Sequence, residues 1–143
     1  MGLQRLYLPV TTTDLAALLR DGTLPAGRPA YGVSPAFAAA TPRADEEERE
    51  YLAFLDAVAA ASEHNRVIVL AVDLPDGEVR WSGPGTAVAL PRPLLHREGV
   101  SLHVGEEDGP DADLLWYDIT EAEVVMGLLD QLRRPTTGAA SLG

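Results

Sequence analysis

Short apolar runs separated by turn residues predict that this chain is built around several strands. The run RVIVLAV, residues 66–72, is apolar almost throughout, which is typical of a strand buried on both faces in the middle of a sheet. Turn residues from Leu74 to Gly77 predict a hairpin that joins this strand to a strand at residues 78–81. Further strands are predicted over Leu3 to Val10, over Ala30 to Val33, over residues 86–90 and 100–104, and in the late segment LLWYDI.

Apolar residues three or four positions apart predict two principal helices. The first runs from Asp45 to His64, a segment that is rich in alanine and contains neither proline nor glycine. The second runs from Glu121 to Arg134, and Thr120 and Glu123 stand at its start at the spacing of a capping box. A shorter helix is predicted from Pro91 to Arg97.

These elements predict an α+β domain with a mixed sheet of five to seven strands, flanked by the long central helix and the C-terminal helix. The 143 residues contain no internal repeat and no linker long enough to separate two domains. Residues 1–134 are therefore predicted to form a single globular domain. Residues 135–143 are small and polar, and they are predicted to be a disordered tail.

Acidic residues outnumber basic residues two to one. The chain has 22 Asp and Glu residues against 11 Lys and Arg residues, which gives a formal net charge of −11. A field of this sign repels nucleic acid and anionic membrane surfaces. It favours a basic protein partner, a cationic ligand or a metal, and an excess of carboxylates also serves solubility alone. The sequence shows neither an apolar stretch long enough to span a membrane nor a signal-peptide pattern, so a cytoplasmic location is expected.

The residue types that are missing exclude several kinds of chemistry. The chain contains no cysteine and no lysine, which excludes disulfides, thiolate metal sites, cysteine nucleophiles, P-loop lysines and Schiff bases. No GxSxG motif occurs, and the three histidines, His64, His96 and His103, do not stand at the spacing of a metal motif. No catalytic residue, metal site or cofactor is therefore assigned, and the question of enzymatic activity stays open.

Two adjacent aromatic residues in the late strand suggest where a site lies. Trp116 and Tyr117 must point to opposite faces of the sheet, because successive side chains of a strand alternate. At most one of them is then a core residue, and the other covers a helix or an opening. Whichever of the two lies outside the core is the best candidate to form a binding site, since Trp and Tyr combine apolar bulk with a polar tip.

The order of motifs along the chain resembles that of a family of small uncharacterised bacterial proteins. The motifs are RLYLPVTTTDLAALL, AYGVSPAF, DEEEREYLAFLDA, RVIVLAVDLPDG and DADLLWYDITE, and the resemblance covers about residues 3–130. The family has no assigned activity. The resemblance therefore implies a shared fold and an intracellular setting, and it implies no catalytic residues.

A weaker resemblance is to the ADP-ribosyltransferase superfamily, whose domains often open with a strand like LYHGT, a short helix, a GLLP-like loop and a second strand followed by serine. Here LYLPV, DLAALLRDGTLP and AYGVSP stand in those places. Leu8 occupies the position where that superfamily usually carries the His or Arg that grips the dinucleotide. The resemblance implies four residues that bind NAD: Tyr7, Tyr31, Ser34 and Glu121.

Two hypotheses of function follow from the sequence. The first is a non-catalytic regulatory or protein-binding module, which the acidic surface and the absence of catalytic motifs favour. The second is a divergent ADP-ribosyltransferase-like domain that binds NAD, which only the order of the opening motifs favours. The sequence gives no indication of the oligomeric state.

Thermal unfolding with and without millimolar NAD separates these two hypotheses. A ligand that binds only the folded chain must raise the unfolding midpoint. The NAD-binding hypothesis therefore predicts a higher midpoint in the presence of NAD, and an unchanged midpoint contradicts it. ATP at the same concentration is the control for nonspecific effects of a nucleotide.

Overall fold

The chain folds around one antiparallel sheet, described by a computed structural model over residues 2–64, 66–109 and 111–133. The strands are β1 (Leu3–Pro9), β2 (Thr23–Leu24), β3 (Pro29–Tyr31), β4 (Ile68–Pro75), β5 (Ala87–Ala89), β6 (Leu94–Leu95), β7 (Gly99–Gly105) and β8 (Leu114–Asp118). The helices are α1 (Thr12–Asp21), α2 (Pro35–Ala40), α3 (Glu46–Ala61) and α4 (Ala122–Arg133). Six strands form the main sheet in the order β5-β3-β1-β4-β7-β8, while β2 pairs only with β6.

The long pairing of β1 with β4 determines which side chains share a face of the sheet. The register runs from Leu3 opposite Pro75 to Pro9 opposite Val69. Because side chains alternate along each strand, Leu6 and Leu8 lie on one face and Tyr7 lies on the other. The strand β4 is buried from both sides over most of its length, as its apolar run predicts.

The two faces of the sheet carry two different cores. On one face, α1 and α4 pack against each other and cover large aliphatic residues that include Leu6, Leu70 and Leu102. On the other face, α3 covers a smaller core of alanine and valine residues together with Tyr7. The first face holds most of the buried apolar volume, and the second face has room for polar side chains beside α3.

The helix α3 lies close to the sheet because its buried positions are alanines. Ala53, Ala57 and Ala61 recur every fourth residue and are fully buried against the sheet. The helix starts at a complete capping box formed by Asp45 and Glu48, which satisfies backbone N–H groups of its first turn. It packs mainly on β1, β3 and β4, so β7 and β8 extend beyond it on this face.

The α+β class is confirmed, and the six strands of the main sheet fall within the predicted five to seven. The sheet differs from the predicted mixed sheet because each strand pairing in it is antiparallel. The chain passes from β3 through α3 to β4, two strands that run in the same direction, but β1 lies between them. A helical crossover therefore occurs here without a parallel pair.

The predicted hairpin after β4 is wrong. The strand ends at Pro75, a 3-10 turn covers Asp76–Glu78, and no strand follows before β5. The reason is that β1 pairs with β4 from Val69 to Pro75 and β7 pairs with it as far as Val72, so only the last three residues of β4 keep a free edge, which is too short for a paired strand at residues 78–81. The next strand instead pairs with β3 at the far edge of the sheet.

Two predicted helices have different boundaries in the structure. The segment predicted as a helix from Pro91 to Arg97 forms β6 and a 3-10 turn, because the dipeptide Leu94–Leu95 pairs with β2. The C-terminal helix begins at Ala122, and the capping box before it is formed by Asp118 and Glu121 around a 3-10 turn rather than by Thr120 and Glu123. The long central helix is shorter than predicted and covers Glu46–Ala61.

None of the helices in the described ranges is both long and apolar enough to cross a membrane. The predicted tail, residues 135–143, lies outside the described residues. The assignment of residues 1–134 to a single domain stays a prediction.

Substitution of Ala57 by Leu is expected to destabilise the fold by about 1–3 kcal/mol, because the larger side chain overpacks the contact between α3 and the sheet. The matched control is Ala59→Leu on the exposed side of the same helix, which is expected to change stability by less than about 0.5 kcal/mol. Urea unfolding measures both. Equal midpoints for the two variants would show that the alanine face does not determine the position of the helix.

Candidate functional site

An open groove of about 450 Å³ lies beside the N-terminal half of α3, on the face of the sheet where β7 and β8 extend beyond the helix. Three strands and the helix contribute to its walls. The lining residues are Arg5, Tyr7, Glu47, Glu50, Tyr51, Phe54, Ser101, His103 and Trp116.

An ion pair between two strands lies in the floor of this groove. Arg5 on β1 stands directly opposite Asp73 on β4, and the guanidinium donates to both carboxylate oxygens, at 2.6 Å from Nε and 3.2 Å from Nη2. The two side chains are partly exposed, at 33% and 25%. The hydrogen bond to Asp73 is the main cause that raises the pKa of Arg5. The positive charge of Arg5 is therefore already matched by a carboxylate of the same chain.

Aromatic rings form the wall next to the ion pair. Phe54 on α3 is at their centre: its ring meets Tyr7 edge-on at 5.5 Å, stacks with Tyr51 at 6.3 Å and lies 4.8 Å from the imidazole of His103. Edge-on and offset contacts of this kind stabilise an aromatic cluster beyond the burial of its area. The cluster fixes the inner wall, while Tyr51 remains 59% exposed at its outer end.

The polar groups on β7 are held in an apolar environment. Ser101 and His103 are two residues apart and share the groove face, and Ser101 is almost fully buried. Burial lowers the pKa of His103 below its ordinary value of 6.5, and the nearby charge of Arg5 lowers it further. His103 is therefore neutral near pH 7. Burial also raises the pKa of Tyr7, with a smaller contribution from Glu50, so the phenol keeps its proton.

Two carboxylates form the rim on the side of α3. Glu47 and Glu50 belong to the first turns of the helix, where the exposed N–H groups of the helix end stabilise negative charge. Among the described residues, neither carboxylate forms an ion pair. The nearby Arg49 instead donates hydrogen bonds to the backbone and hydroxyl oxygens of Thr41. The groove therefore has a net negative rim.

Trp116 forms the opposite rim of the groove, on β8. Its side chain is 61% exposed, whereas Tyr117 packs against the main core on the other face. The prediction that only one of these two residues belongs to the core is confirmed. The residue that the sequence analysis favours as site-forming is the one that lines the groove.

The structure brings together some of the four residues predicted to bind NAD. Tyr7 and Tyr31 are direct partners across β1 and β3. Ser34 follows β3 and is fully buried, because its hydroxyl caps α2 and donates to the carbonyl of Gly85. Glu121 lies beyond β8, at the opposite edge of the sheet, where it accepts a hydrogen bond from the backbone of Asp118.

Of those four residues, only Tyr7 lines the groove. Leu8, in the position where ADP-ribosyltransferases carry His or Arg, is buried in the core on the other face of the sheet. NAD binding by the four residues stays a prediction. Within the described ranges, no three His, Asp or Glu side chains are placed closely enough to hold a metal ion together.

Sequence analysis missed most of the groove. Its residues come from β1, α3, β7 and β8, and no motif of adjacent residues connects them. One signal is present in hindsight: polar residues alternate with apolar residues in two strands, as Arg5 and Tyr7 do in β1 and as Ser101 and His103 do in β7. Alternation of this kind in buried strands indicates a face that a helix covers only in part.

Residues 4–112 match the model of a family of unknown function, DUF6912. The chain belongs to the DUF6912 family. This match confirms the expectation of a domain family without an assigned activity, and it lends no support to the likeness to ADP-ribosyltransferases. Searches of curated proteins and of solved structures find no match.

The region matched to DUF6912 includes most of the groove. It contains the lining residues of β1, α3 and β7, whereas Trp116 and the rest of β8 lie beyond residue 112. The ion pair and the aromatic cluster thus belong to the matched part of the chain.

The imidazole of His103 is expected to titrate below pH 6.5 in the folded protein, because burial disfavours its charged form. NMR detection of the imidazole proton during a pH titration measures this midpoint. The control is the same residue in the urea-unfolded chain, where the midpoint is expected at about 6.5. A higher midpoint in the folded chain would contradict the described environment.

The shift also predicts how stability depends on pH. Below about pH 6.5 the unfolded chain binds more protons at His103 than the folded chain does, so this group lowers the free energy of unfolding as the pH falls. Thermal unfolding between pH 7.5 and pH 5.5 should therefore show a smaller loss of stability in His103→Gln than in the wild-type chain.

Proposed function

We propose that this chain is a non-catalytic protein-binding module whose groove accepts a basic segment of a partner protein. The observation that carries the proposal is a groove whose own cation is already paired, lined by exposed aromatic rings and by two carboxylates that form no ion pair with any residue that the structure describes. This chemistry fits an arginine or lysine side chain.

The charges at the groove favour a cationic ligand. Arg5 is the only cation among the described lining residues, and its bidentate contact with Asp73 matches its charge. Glu47 and Glu50 then determine the sign of the field at the groove. A cation that enters the groove forms charge-assisted contacts with these carboxylates.

The exposed aromatic rings of the groove favour the same kind of ligand. Tyr51 and Trp116 are the most exposed large rings of the described chain, and both line the groove. A guanidinium or ammonium over such a ring gains about 0.5–1 kcal/mol at an exposed site and about 2 kcal/mol when it is desolvated. The rings also bury the methylene stem of a long basic side chain.

The charge of the whole chain supports the same class of partner. A net charge of −11 raises the rate at which a basic partner meets the surface, and the effect weakens as salt is added. Specificity then depends on the groove, where the carboxylates lie beside aromatic rings.

The test uses a capped pentapeptide, Gly-Arg-Gly-Arg-Gly, followed by NMR of the labelled protein. Shifts are expected at residues 47–54, at residues 101–103 and at the indole N–H of Trp116. The double variant E47Q/E50Q should weaken binding roughly five- to thirtyfold, which corresponds to two exposed charge contacts of about 0.5–1 kcal/mol each.

The matched control is E63Q/D76N, which removes the same charge at two exposed positions outside the groove. It should change the affinity by less than about twofold, because only the general field is reduced. Equal loss in both double variants, or equal binding of the peptide Gly-Glu-Gly-Glu-Gly, would refute the groove as the binding site.

A further inference from the structure

Within the described residues, the strand β8 is a free edge of the main sheet. It pairs with β7 on one side, and no described strand pairs with its other side. Its five residues, LLWYD, include neither proline nor lysine, the residues that commonly protect an edge. The opposite edge strand, β5, has only three residues and is flanked by the Gly83-Pro84-Gly85 segment and by Pro91.

An open site lies on each face of this edge. On one face Trp116 forms the rim of the groove described above. On the other face, Leu115 and Tyr117 line a second cleft of about 280 Å³ between β8 and α4. Leu128 of α4 lines this cleft and is 41% exposed. Side chains along β8 thus alternate between the groove, which Trp116 lines, and the apolar cleft, which Leu115 and Tyr117 line.

The chain segment that contains β8 has an excess of acidic residues, of which Asp108 pairs with Arg66 at 3.4 Å. Residues 105–132 contain no arginine or lysine, and they contain nine acidic residues: Glu106, Glu107, Asp108, Asp111, Asp113, Asp118, Glu121, Glu123 and Asp130. A second copy of the chain paired at this edge would bring the same carboxylates together. A segment with basic residues is complementary to the edge.

We propose that the basic segment of the partner binds in extended form and adds to β8 as a seventh strand of the sheet. Its alternate side chains then lie over Trp116 at the groove and in the apolar cleft beside Leu128. Backbone hydrogen bonds with β8 supply affinity, and the two sites select a segment in which basic and aliphatic residues alternate. This inference rests on the proposed function, because the added strand also places its basic side chains in the groove.

The test compares two capped peptides of equal composition and charge, the alternating (Arg-Val)₄ and the block peptide Arg₄Val₄. The alternating peptide should bind about tenfold more tightly, because only its pattern matches the two faces of an added strand. Within residues 114–118, the alternate amide protons that point away from β7 should become protected from hydrogen exchange when it binds.

Methylation of the peptide backbone tests the strand pairing itself. In a strand, the N–H groups of alternate residues point to the same neighbour. One version of (Arg-Val)₄ carries N-methyl groups on the arginines and the other on the valines. Only one of the two versions should lose the added affinity, and equal losses would overturn the proposal.

Two protein variants locate the aliphatic side chains. Leu128→Gln should weaken the alternating peptide about fivefold and leave Gly-Arg-Gly-Arg-Gly unaffected, because Leu128 lines only the apolar cleft. Leu52→Gln is the matched control, since Leu52 is also 41% exposed and lines neither site. Equal effects of the two substitutions would overturn the proposal.

The outcomes also separate this inference from the function on which it rests. If Gly-Arg-Gly-Arg-Gly binds and the alternating peptide gains nothing over the block peptide, the added strand is refuted and the groove stands. If neither basic peptide binds, both are refuted. Concentration-dependent dimers in sedimentation, with residues 114–118 protected in the absence of peptide, would assign the edge to a second copy and overturn the proposal.

Discussion

The close contact between α3 and the sheet is the constraint on which the rest of the structure depends. Ala53, Ala57 and Ala61 leave no side-chain bulk between the helix and the central strands, so the helix lies low over β1, β3 and β4. A helix raised by larger side chains would no longer bring Phe54 against Tyr7 and His103. The groove exists because this helix covers one part of the sheet face closely and leaves the strands beside it open.

The two faces of the sheet divide the work between stability and binding. Large aliphatic residues under α1 and α4 supply most of the burial that holds the fold together. The face under α3 has a smaller core, and there the sheet carries an ion pair, a neutral imidazole and a buried hydroxyl. The fold tolerates polar groups on this face because the larger core on the other face supplies most of the stability. Arg5 and Asp73 satisfy each other, which leaves the carboxylates of the helix to determine the sign of the groove.

Local sequence signals predicted most helices and strands. The features that they did not predict depend on pairing between residues far apart in the sequence. The helix after Asp45 and the strand at residues 66–72 carry their own evidence in caps, composition and apolar spacing. The hairpin after Pro75 had good turn residues but too short a free edge of β4 to pair with, which only the pairing within the sheet reveals. The groove was missed for the same reason, since four separate elements build it. The pair Trp116 and Tyr117 was the exception, because alternation within one strand is a local property and predicted that one of the two lies outside the core.

The insertion of β1 between β3 and β4 also has a consequence for how the chain reaches its fold. In the pairing of β1 with β3, only Tyr7 stands opposite a residue of the neighbouring strand, whereas β1 pairs with β4 along its whole length. The ion pair of Arg5 with Asp73 in this long pairing joins residues 68 positions apart. Contacts of such separation slow folding, because loop closure costs entropy before the contacts are made. During synthesis at about 5–20 residues per second, the first strand waits for several seconds before its principal neighbour exists. The most central pairing of the sheet is therefore completed late, and a chain truncated before residue 68 leaves its first strand without it.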